Sequence, residues 1–440
     1  MVSPLDREEL KNMTPSNTLH GLYLRFLNGE TPRQASMLFS AQTASMFAGF
    51  CASVIQGRWM EPAEMGRFAF CLAIIVVASL FFEFGISSAG ARLLALAKDR
   101  QSERQALGAL VLMTLAIAVA FSLFIALAAA PIDRIFSKDV RWLLIGAASL
   151  AFFQPFQLLI EQSCQGLNQI RRLSVFQLLM SGAYLLGLIA LVAAQRLTAG
   201  TALGAYLAGT ALASVWTLLQ MQPSFKGVSR YIKLTLKETR GYGFNLYLAR
   251  ISGMASSRSD QLAIGYFLAG TAPLGMYAIA QKFSNPIAMV GRALAATRFR
   301  AFARVTRLPS RITKWNAIAV VAASIALISL GPITLRLVFP KYSEAASLLV
   351  PFAVMNSFVG LFQPYNVFLA SHGRGAELRN IVLIVGIATI ATLIVTVPRF
   401  GIAGAAWTAA AAMALDYMLH LLYYRRFIST LEETKPTATT

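Results

Sequence analysis

Residues 243–300 read GFNLYLARISGMASSRSDQLAIGYFLAGTAPLGMYAIAQKFSNPIAMVGRALAATRFR. This stretch is long and apolar enough for two helices that cross a membrane. Five charged residues nevertheless fall where a span is normally uncharged: Arg250, Arg258, Asp260, Lys282 and Arg292. A charged side chain at the bilayer centre costs roughly 2.5–3.5 kcal/mol on insertion scales, so it normally faces a protein interior or a water-filled cavity. These charges therefore predict a polar cavity inside a helical membrane protein.

The composition of the whole chain agrees with this interpretation. Of the 440 residues, 57% are hydrophobic and 13% are charged, and the mean hydropathy is +0.60. These values are typical of a polytopic membrane protein. The first 35 residues contain no apolar segment of the kind found in a signal peptide. We expect an all-α fold with twelve transmembrane helices in two six-helix repeats that enclose a central cavity.

The twelve spans follow from apolar segments of about 20 residues. We predict them at residues 35–56, 65–90, 106–130, 142–163, 173–194, 200–221, 244–268, 272–296, 315–335, 345–370, 380–397 and 402–424.

The distribution of positive charge predicts the orientation of the chain. The formal net charge is +20, and the basic residues are concentrated in the short loops. With both termini in the cytoplasm, cytoplasmic segments hold about 26 of the 39 Lys and Arg residues, and the opposite loops with adjoining span ends hold about 9. Topology explains this charge better than a nucleic-acid partner does, because no recognition motif accompanies it.

The second half of the chain repeats the first. The motifs EMGRFA and PLGMYA open spans 2 and 8, and FQPF and FQPY lie in spans 4 and 10. Gly66 and Gly275 are separated by the same interval as Gln154 and Gln363, since 275 − 66 and 363 − 154 both equal 209. A shared interval indicates a duplicated six-helix unit, and an even number of spans gives both copies the same orientation.

The repeat defines the expected domain organisation. We predict a cytoplasmic leader, a first bundle, a basic cytoplasmic linker, a second bundle and a cytoplasmic tail, at residues 1–34, 35–221, 222–243, 244–424 and 425–440. Cations in the linker recur at helical spacing, which predicts an amphipathic helix along an anionic leaflet; a solvated basic loop is the alternative. They are Lys226, Arg230, Lys233, Lys237 and Arg240.

Motifs for catalysis and metal binding are absent from the sequence. There is no Gly-Lys dipeptide for a Walker loop, no HExxH, and no Asp-x-Asp. The three histidines are far apart, and the three cysteines lie in apolar segments. We therefore expect a protein that is not an enzyme and that has neither a cofactor nor a metal site.

The charges in spans 7 and 8 leave two interpretations open. Arg250 and Arg258 share one face of span 7, and Lys282 and Arg292 share a face of span 8. Because Asp260 balances only part of this charge, the surplus favours a substrate anion such as a diphosphate. The alternative is that the cations pair with acids on other helices, for which Glu83, Glu161 and Asp416 are the candidates.

Two acids are candidates for ion coupling or gating, namely Asp260 and Glu83. The repeat interval places Glu83 and Arg292 at equivalent positions of the two halves, so they could pair across the cavity or gate it. Three glutamines are candidates for glycan contacts, although each could instead make a helix-packing hydrogen bond. They are Gln42, Gln154 and Gln363.

Several motifs resemble those of a known family. The segment FFEFGISSAGARLLA closes span 2, Gly-x-[Phe/Tyr]-Ala opens spans 2 and 8, and GIAGAAW opens span 12. Over residues 35–425 the chain resembles the polysaccharide flippases of the multidrug/oligosaccharidyl-lipid/polysaccharide exporter superfamily. This resemblance implies a cationic cavity and the translocation of an undecaprenyl-diphosphate-linked oligosaccharide across the bacterial inner membrane, for exopolysaccharide or O-antigen (lipopolysaccharide) biosynthesis. It also implies membrane lipids and a polysaccharide polymerase machinery as partners; a monomer is expected.

Two other functions remain open. A cation-coupled multidrug-type antiporter would have the same fold, but such transporters usually have a carboxylate in their first helix. Span 1 reads ASMLFSAQTASMFAGFCASVI and has none. A membrane glycosyl polymerase or transferase is a third candidate, and the absence of a large extracytoplasmic loop counts against it.

Overall fold

A computed structural model describes residues 30–296, 302 and 305–433. Most of the expected leader and the end of the expected tail lie outside the described residues. The described part of the chain is almost entirely helical and contains no strand.

Eight helices make up the first half. They are α1 (Glu30–Trp59), α2 (Pro62–Phe81), α3 (Ile86–Ala95), α4 (Arg100–Phe136), α5 (Arg141–Ala151), α6 (Gln154–Gly166), α7 (Ile170–Ala193) and α8 (Ala199–Met221). The linker contains α9 (Val228–Glu238), which continues through a π-helical turn (Thr239–Gly243). The described residues of the second half form α10 (Phe244–Phe267), α11 (Ala272–Ala296), α12 (Ser310–Val338), a 3-10 helix (Pro340–Leu348), α13 (Leu349–Ser371) and α14 (Gly375–Glu433).

These helices confirm the twelve predicted spans. Span 2 consists of α2 and α3, span 4 of α5 and α6, and α14 supplies spans 11 and 12 because the chain reverses at Gly401. The hydroxyl oxygens of Thr396 and Thr408 lie 2.8 Å apart across that reversal. By length and hydropathy alone, eight helical segments of the described chain could cross a membrane, and the last of them covers both arms of α14. The helices α1, α10 and α11 are not among these segments because their polar residues lower the mean hydropathy.

Span 4 is interrupted beside its proline, whereas span 10 is not. In span 4, α5 ends at Ala151 and α6 starts at Gln154, because Pro155 lacks the N–H that would continue the ladder. In span 10, by contrast, α13 continues through Pro364. The repeat-related residues Pro155 and Pro364 therefore differ in whether the helix is interrupted beside them.

The break in span 2 comes from residues 82–85. Phe84 and Gly85 have positive φ angles of 50° and 80°, a region that glycine adopts freely and other residues rarely do. The Glu83 carboxylate then accepts hydrogen bonds from the backbone N–H groups of Gly85 at 2.9 Å and Ser87 at 2.8 Å. Glu83 thus caps the start of α3, whose first N–H groups have no partner within the helix.

The two halves cross at the repeat-related glycines. A Cβ atom on Gly66 would lie 1.8 Å from the carbonyl oxygen of Thr271, and one on Gly275 would lie 2.0 Å from that of Pro62. The backbones of α2 and α11 are therefore in direct contact. Large buried side chains surround this crossing, among them Phe68, Phe70, Tyr277, Phe339 and Phe352.

The loops lie at two ends of the bundle, which we name the basic face and the opposite face. The basic face contains the loops at residues 96–99, 167–169, 222–227 and 372–374. The opposite face contains those at residues 60–61, 137–140, 194–198, 268–271 and 339–348.

Contacts between the halves close the opposite face. Lys341 binds the Glu61 carboxylate at 2.6 Å, and the Tyr342 hydroxyl donates a hydrogen bond to the carbonyl of Met60 at 3.3 Å. Lys138 donates to the carbonyls of residues 268 and 270, the second at 2.8 Å. Burial lowers the pKa of the Lys138 ammonium. We call this group of contacts, together with the glycine crossing, the seal.

At the basic face, the linker forms the amphipathic helix that its spacing predicts. The five linker cations are exposed, whereas Thr235 is buried. The π-helical turn ends where Gly243 and Gly85 meet: a Cβ on either residue would lie within 2.5 Å of the other's carbonyl oxygen. The Tyr247 hydroxyl donates to the carbonyl of Phe81 at 2.9 Å. The start of α10 is therefore in direct contact with the break in span 2, and these contacts join the two halves on this side of the bundle.

Candidate anion-binding cavity between the halves

A cavity lies between the two halves on the basic-face side of the seal. It consists of connected compartments of about 550, 280 and 240 Å³. The first two share Met46, Met289 and Arg292, and the first and third share Glu161. The cavity therefore extends from α1 and α7 on one side to α8 and α10 on the other.

Three of the four predicted cations line this cavity. Arg258 lines the 240 Å³ compartment, Lys282 the 280 Å³ compartment, and Arg292 the larger two. Arg250 is partly buried on α10, and its Nη1 atom is buried without a hydrogen-bond partner in the described part of the chain. All four cations belong to the second half.

Direct carboxylate contacts to the cations are missing among the described residues, although Arg250 interacts electrostatically with Glu161 and Arg258 with Asp260. No ion pair there involves Arg250, Arg258, Lys282 or Arg292. Their polar contacts are instead with amides. Arg258 contacts the Gln261 Oε1 atom at 3.3 Å, and Lys282 donates to Gln56 at 3.1 Å.

The three acids considered as partners make their hydrogen bonds and short ion pairs with groups other than the four cations. Glu83 caps α3, and the Asp416 carboxylate contacts the His420 imidazole at 2.9 Å. Glu161 accepts a hydrogen bond from Gln157 at 3.0 Å. The expected pairing of Glu83 with Arg292 is also absent from the described structure. None of the three acids therefore forms a direct ion pair with the four cations in the described structure.

Lys282 touches the seal as well as the cavity. Its ammonium lies 5.5 Å from the centroid of the Phe68 ring on α2, and its Gln56 partner on α1 is 0% exposed. One helical turn away, Ile279 approaches Gly57 of α1: a Cβ on that glycine would lie 3.3 Å from the Ile279 Cδ1 atom. Sequence reasoning missed Gln56; its signal was a polar residue at the end of an apolar span.

Asp260 lines a further cavity inside the second half, which shares Asn285 and Arg292 with the central cavity. Its carboxylate accepts hydrogen bonds from the Tyr277 hydroxyl at 2.6 Å, the Gln261 backbone N–H at 2.7 Å and the Gln281 amide at 3.3 Å. This cavity of about 340 Å³ is also lined by Arg292 and Asp416. Asp260 is thus brought near the central cavity through Arg292 but does not neutralise the cations by an ion pair.

The three candidate glutamines have different surroundings. Gln42 is exposed and lines the 550 Å³ compartment, and Gln154 is buried and lines the 240 Å³ compartment. Gln363 is partly buried on α13 and is not among the residues that line these cavities.

A row of polar side chains on α6 forms the first-half wall of the cavity. Gln154 donates to Gln157, which donates to Glu161, each at 3.0 Å. Their spacing of three and four residues after Pro155 predicts one helix face, so the sequence contained the signal for this row. The first half therefore supplies amides and carboxylates opposite the cations of the second half.

These features define a class: a multi-pass membrane protein whose two six-span halves enclose a cavity that is closed at one face. Solved structures share this fold. A lipid II flippase MurJ in an inward closed conformation superposes with a TM-score of 0.69 and 13% identity, over 91% of this chain and 94% of that one. A multidrug resistance MATE family transporter of the MOP superfamily, in an inward-facing conformation, gives 0.72 and 14% identity, over 91% of this chain and 99% of that one.

The family model described as polysaccharide biosynthesis protein matches residues 32–290. The chain belongs to this family, which confirms the resemblance drawn from its motifs. No curated protein matches its sequence.

Proposed function

We propose that this protein is a transporter that flips an undecaprenyl-diphosphate-linked oligosaccharide across the bacterial inner membrane, for exopolysaccharide or O-antigen biosynthesis. The observation that carries the proposal is the cationic wall of the cavity. Four cations face or adjoin a membrane-buried cavity, and no carboxylate of the described chain forms an ion pair with them. A diphosphate supplies the missing charge and accepts paired hydrogen bonds from guanidinium groups.

The order of the cations along the cavity suggests how the substrate is bound. Arg250 and Arg292 lie toward the basic face and meet the diphosphate first. Arg258 and Lys282 lie deeper, and the polyprenyl tail stays in the lipid. Closure of the basic face and opening of the seal then expose the head group on the other side, as alternating access requires.

The polar wall of the first half suits the glycan. Gln42 and Gln154 line the compartments on that side, and amides donate and accept hydrogen bonds with sugar hydroxyls. Gln363 is a weaker candidate because it lies outside these compartments.

Coupling to a proton or sodium gradient is assigned to Asp260, with Glu83 as the second candidate. Asp260 is buried, faces a polar cavity and shares Arg292 as a neighbour with the central cavity. Because Glu83 already caps a helix, a gating role for it requires that cap to be released.

The proposal includes an orientation and a set of partners. The basic face lies in the cytoplasm, together with both termini, according to the positive-inside rule. The two bundles are residues 35–221 and 244–424, the linker is 222–243, and the terminal segments are 1–34 and 425–440. One chain encloses the whole site, which favours a monomer. Membrane lipids and a polysaccharide polymerase machinery are the proposed partners.

The decisive experiment measures flipping in proteoliposomes. Fluorescent undecaprenyl-diphosphate-linked glycan is incorporated in both leaflets, and a membrane-impermeant quencher reports which molecules become accessible. We expect flipping by the wild type and a strong loss in the double variant Arg258→Gln, Lys282→Gln. The matched control is Lys314→Gln, Arg336→Gln, whose exposed cations lie outside the cavity and the seal. Equal flipping by the two double variants contradicts the cationic-cavity mechanism.

The same vesicles test the alternatives. The carboxylate of Asp260 in its polar cavity is the observation that favours a cation-coupled small-molecule antiporter. That function predicts uptake of a cationic dye driven by a proton or sodium gradient, with loss in Asp260→Asn. A glycosyl polymerase or transferase would instead produce glycans of altered chain length when acidic residues are replaced.

A further inference from the structure

We propose that Lys282 couples occupancy of the cavity to opening of the opposite face, with Gln56 and Phe68 as its partners in the empty state. This inference rests on the proposed function, because it assumes an anionic head group in the cavity. It assigns roles to Gln56 and Phe68, neither of which needs to touch the substrate. An anion that attracts Lys282 toward the cavity removes one of the contacts that hold the halves together.

The position of Lys282 along α11 supports this role. Gly275 forms the crossing with α2, Ile279 packs beside Gly57 of α1, and Lys282 follows one turn later. Beyond Lys282 the helix lines the cavity as far as Arg292, about 15 Å further along at 1.5 Å per residue. Lys282 is therefore the residue at which α11 passes from the seal into the cavity.

The contacts of Lys282 join three helices. Its ammonium on α11 donates to Gln56 of α1 at 3.1 Å and lies 5.5 Å from the Phe68 ring centroid of α2. Both partners belong to the first half, so these contacts hold the two halves together. Gln56 is fully buried, and its Nε2 atom has no hydrogen-bond partner in the described structure. Among the described residues, the charged lysine thus has a neutral amide and a ring as its partners, and a diphosphate competes well with both.

The backbone of α11 lacks one hydrogen bond at the same place. Pro286 lies inside the helix and lacks the N–H that would bind the carbonyl of residue 282. Prolines within helices are common sites of bending. A bend here changes the angle between the sealed part of α11 and the part that lines the cavity. A bend at Pro286 would therefore lie one helical turn from Lys282.

The mechanism has the thermodynamic form that a ligand-driven switch requires. A ligand shifts a conformational equilibrium only by its differential affinity for the two states. In the sealed state the Lys282 ammonium contacts Gln56 and Phe68. In the open state these contacts are absent, and the ammonium can bind the anion alone. The diphosphate therefore binds the open state more tightly and favours it.

The test measures the distance across the opposite face by electron spin resonance. The protein is placed in nanodiscs, and spin labels are attached at Arg196→Cys in the first half and Glu344→Cys in the second, both exposed. The three native cysteines are replaced by alanine: Cys51, Cys71 and Cys164. The probe is undecaprenyl diphosphate, and its binding is measured separately on the same samples.

Three variants give distinct expected results. In the wild type, the probe shifts the population toward longer distances. In Lys282→Gln, this shift is lost. In Gln56→Leu, the long-distance population rises roughly tenfold without the probe, as expected for the loss of a hydrogen bond to a charged group, and binding is retained. Lys341→Gln is the control, because it removes an exposed contact of the seal, and it keeps the response to the probe.

The outcomes separate the two proposals. In one outcome, the wild type binds the probe and opens, and Lys282→Gln and Gln56→Leu show the same distance distributions as the wild type. The coupling role of Lys282 is then wrong, and the proposed function stands. If the wild type binds no undecaprenyl diphosphate, the proposed function fails and the coupling role fails with it. Phe68→Leu provides a second variant should Gln56→Leu not fold, with the same expected direction.

Discussion

The two halves of this protein are alike at the seal and different in the cavity. At the seal, Gly66 and Gly275 occupy equivalent positions of the repeat and meet across the interface. In the cavity, Glu83 and Arg292 are also equivalent by position. Glu83 caps a broken helix, whereas Arg292 faces the cavity from a continuous one. Duplication has thus retained the crossing of the helices, and the chemistry of the two walls has diverged.

This difference has a physical basis. Close approach of two backbones requires the absence of a side chain on both helices, so neither glycine tolerates replacement. The two walls of the cavity do not need matching residues, because each wall contacts the ligand rather than the equivalent residues of the other half. An asymmetric substrate with an anionic head and a hydroxyl-rich glycan favours one cationic wall and one amide-rich wall.

We expect the largest effect on stability from substitutions at the glycine crossing, where the two halves are alike. Gly66→Ala and Gly275→Ala each place a methyl group about 2 Å from a backbone carbonyl oxygen, which cannot move as a flexible side chain would. We expect each to lower the free energy of unfolding by about 3 kcal/mol, the upper range for overpacking. Thermal unfolding in detergent measures this loss.

Gly204→Ala is the matched control for the glycine variants. A Cβ at Gly204 would meet nothing within 4 Å, and alanine is the better helix former, so stability is maintained or increased. A large difference between Gly66→Ala and Gly275→Ala would contradict the equivalence of the two glycines at the crossing.

The next largest effect concerns substrate affinity and tests the difference between the two walls of the cavity. Arg292→Gln removes a cation from the second half and should lower the affinity for undecaprenyl diphosphate about tenfold, as expected for a charge-assisted hydrogen bond. Glu161→Gln removes a negative charge from the first-half wall and should raise that affinity by a smaller factor. Binding isotherms in nanodiscs measure both changes. If both substitutions change affinity in the same direction, the two walls do not have the opposed roles assigned to them.

A smaller effect tests the role of Glu83. Glu83→Ala removes the cap of α3 and should lower the free energy of unfolding by about 1–2 kcal/mol. Glu83→Gln keeps an acceptor oxygen and should lose less. Thermal unfolding and hydrogen exchange at residues 85–88 report this order. A Glu83→Gln variant that is stable but cannot flip substrate would point to protonation of Glu83 during transport instead.

The smallest effect concerns the outer contacts of the seal. Lys341 and Glu61 are both exposed, and exposed ion pairs contribute about 0.2–1 kcal/mol. Lys341→Ala should therefore change thermal stability only slightly. Lys138→Ala should cost more, because its ammonium is buried against two backbone carbonyls that would lose their donor. The reverse order would mean that the exposed pair holds the halves together.

Much of the fold could be predicted from the sequence. Apolar segments of constant length predict the spans, since lipid requires every backbone polar group to be satisfied within a helix. The interval shared by Gly66 and Gly275 predicts the duplication. Local patterns succeeded in the linker, where cations at helical spacing form an exposed stripe on α9. They do not distinguish Pro155, beside which span 4 is interrupted, from Pro364 at the equivalent position, through which α13 continues.

The site could be predicted only in part. The cations were recognisable because charge is rare within a span. Their surroundings were not, because contacts between distant segments decide them. Gln56 and Lys282 are 226 residues apart in the chain, and no local pattern links them. The cap formed by Glu83 was equally hidden, since the break it stabilises depends on the approach of Gly243 to Gly85.

The sequence by itself determined that the chain crosses the membrane twelve times, that it is duplicated, and that its surplus of buried positive charge lies in the second half. These properties follow from hydrophobicity, periodicity and charge, which are local. Only the tertiary structure decided that Gly66 meets Gly275, that Lys282 is held by Gln56 and Phe68, and that Glu83 caps a helix. Helix packing brings together residues that are distant in sequence, and the partners of a buried charge depend on that packing.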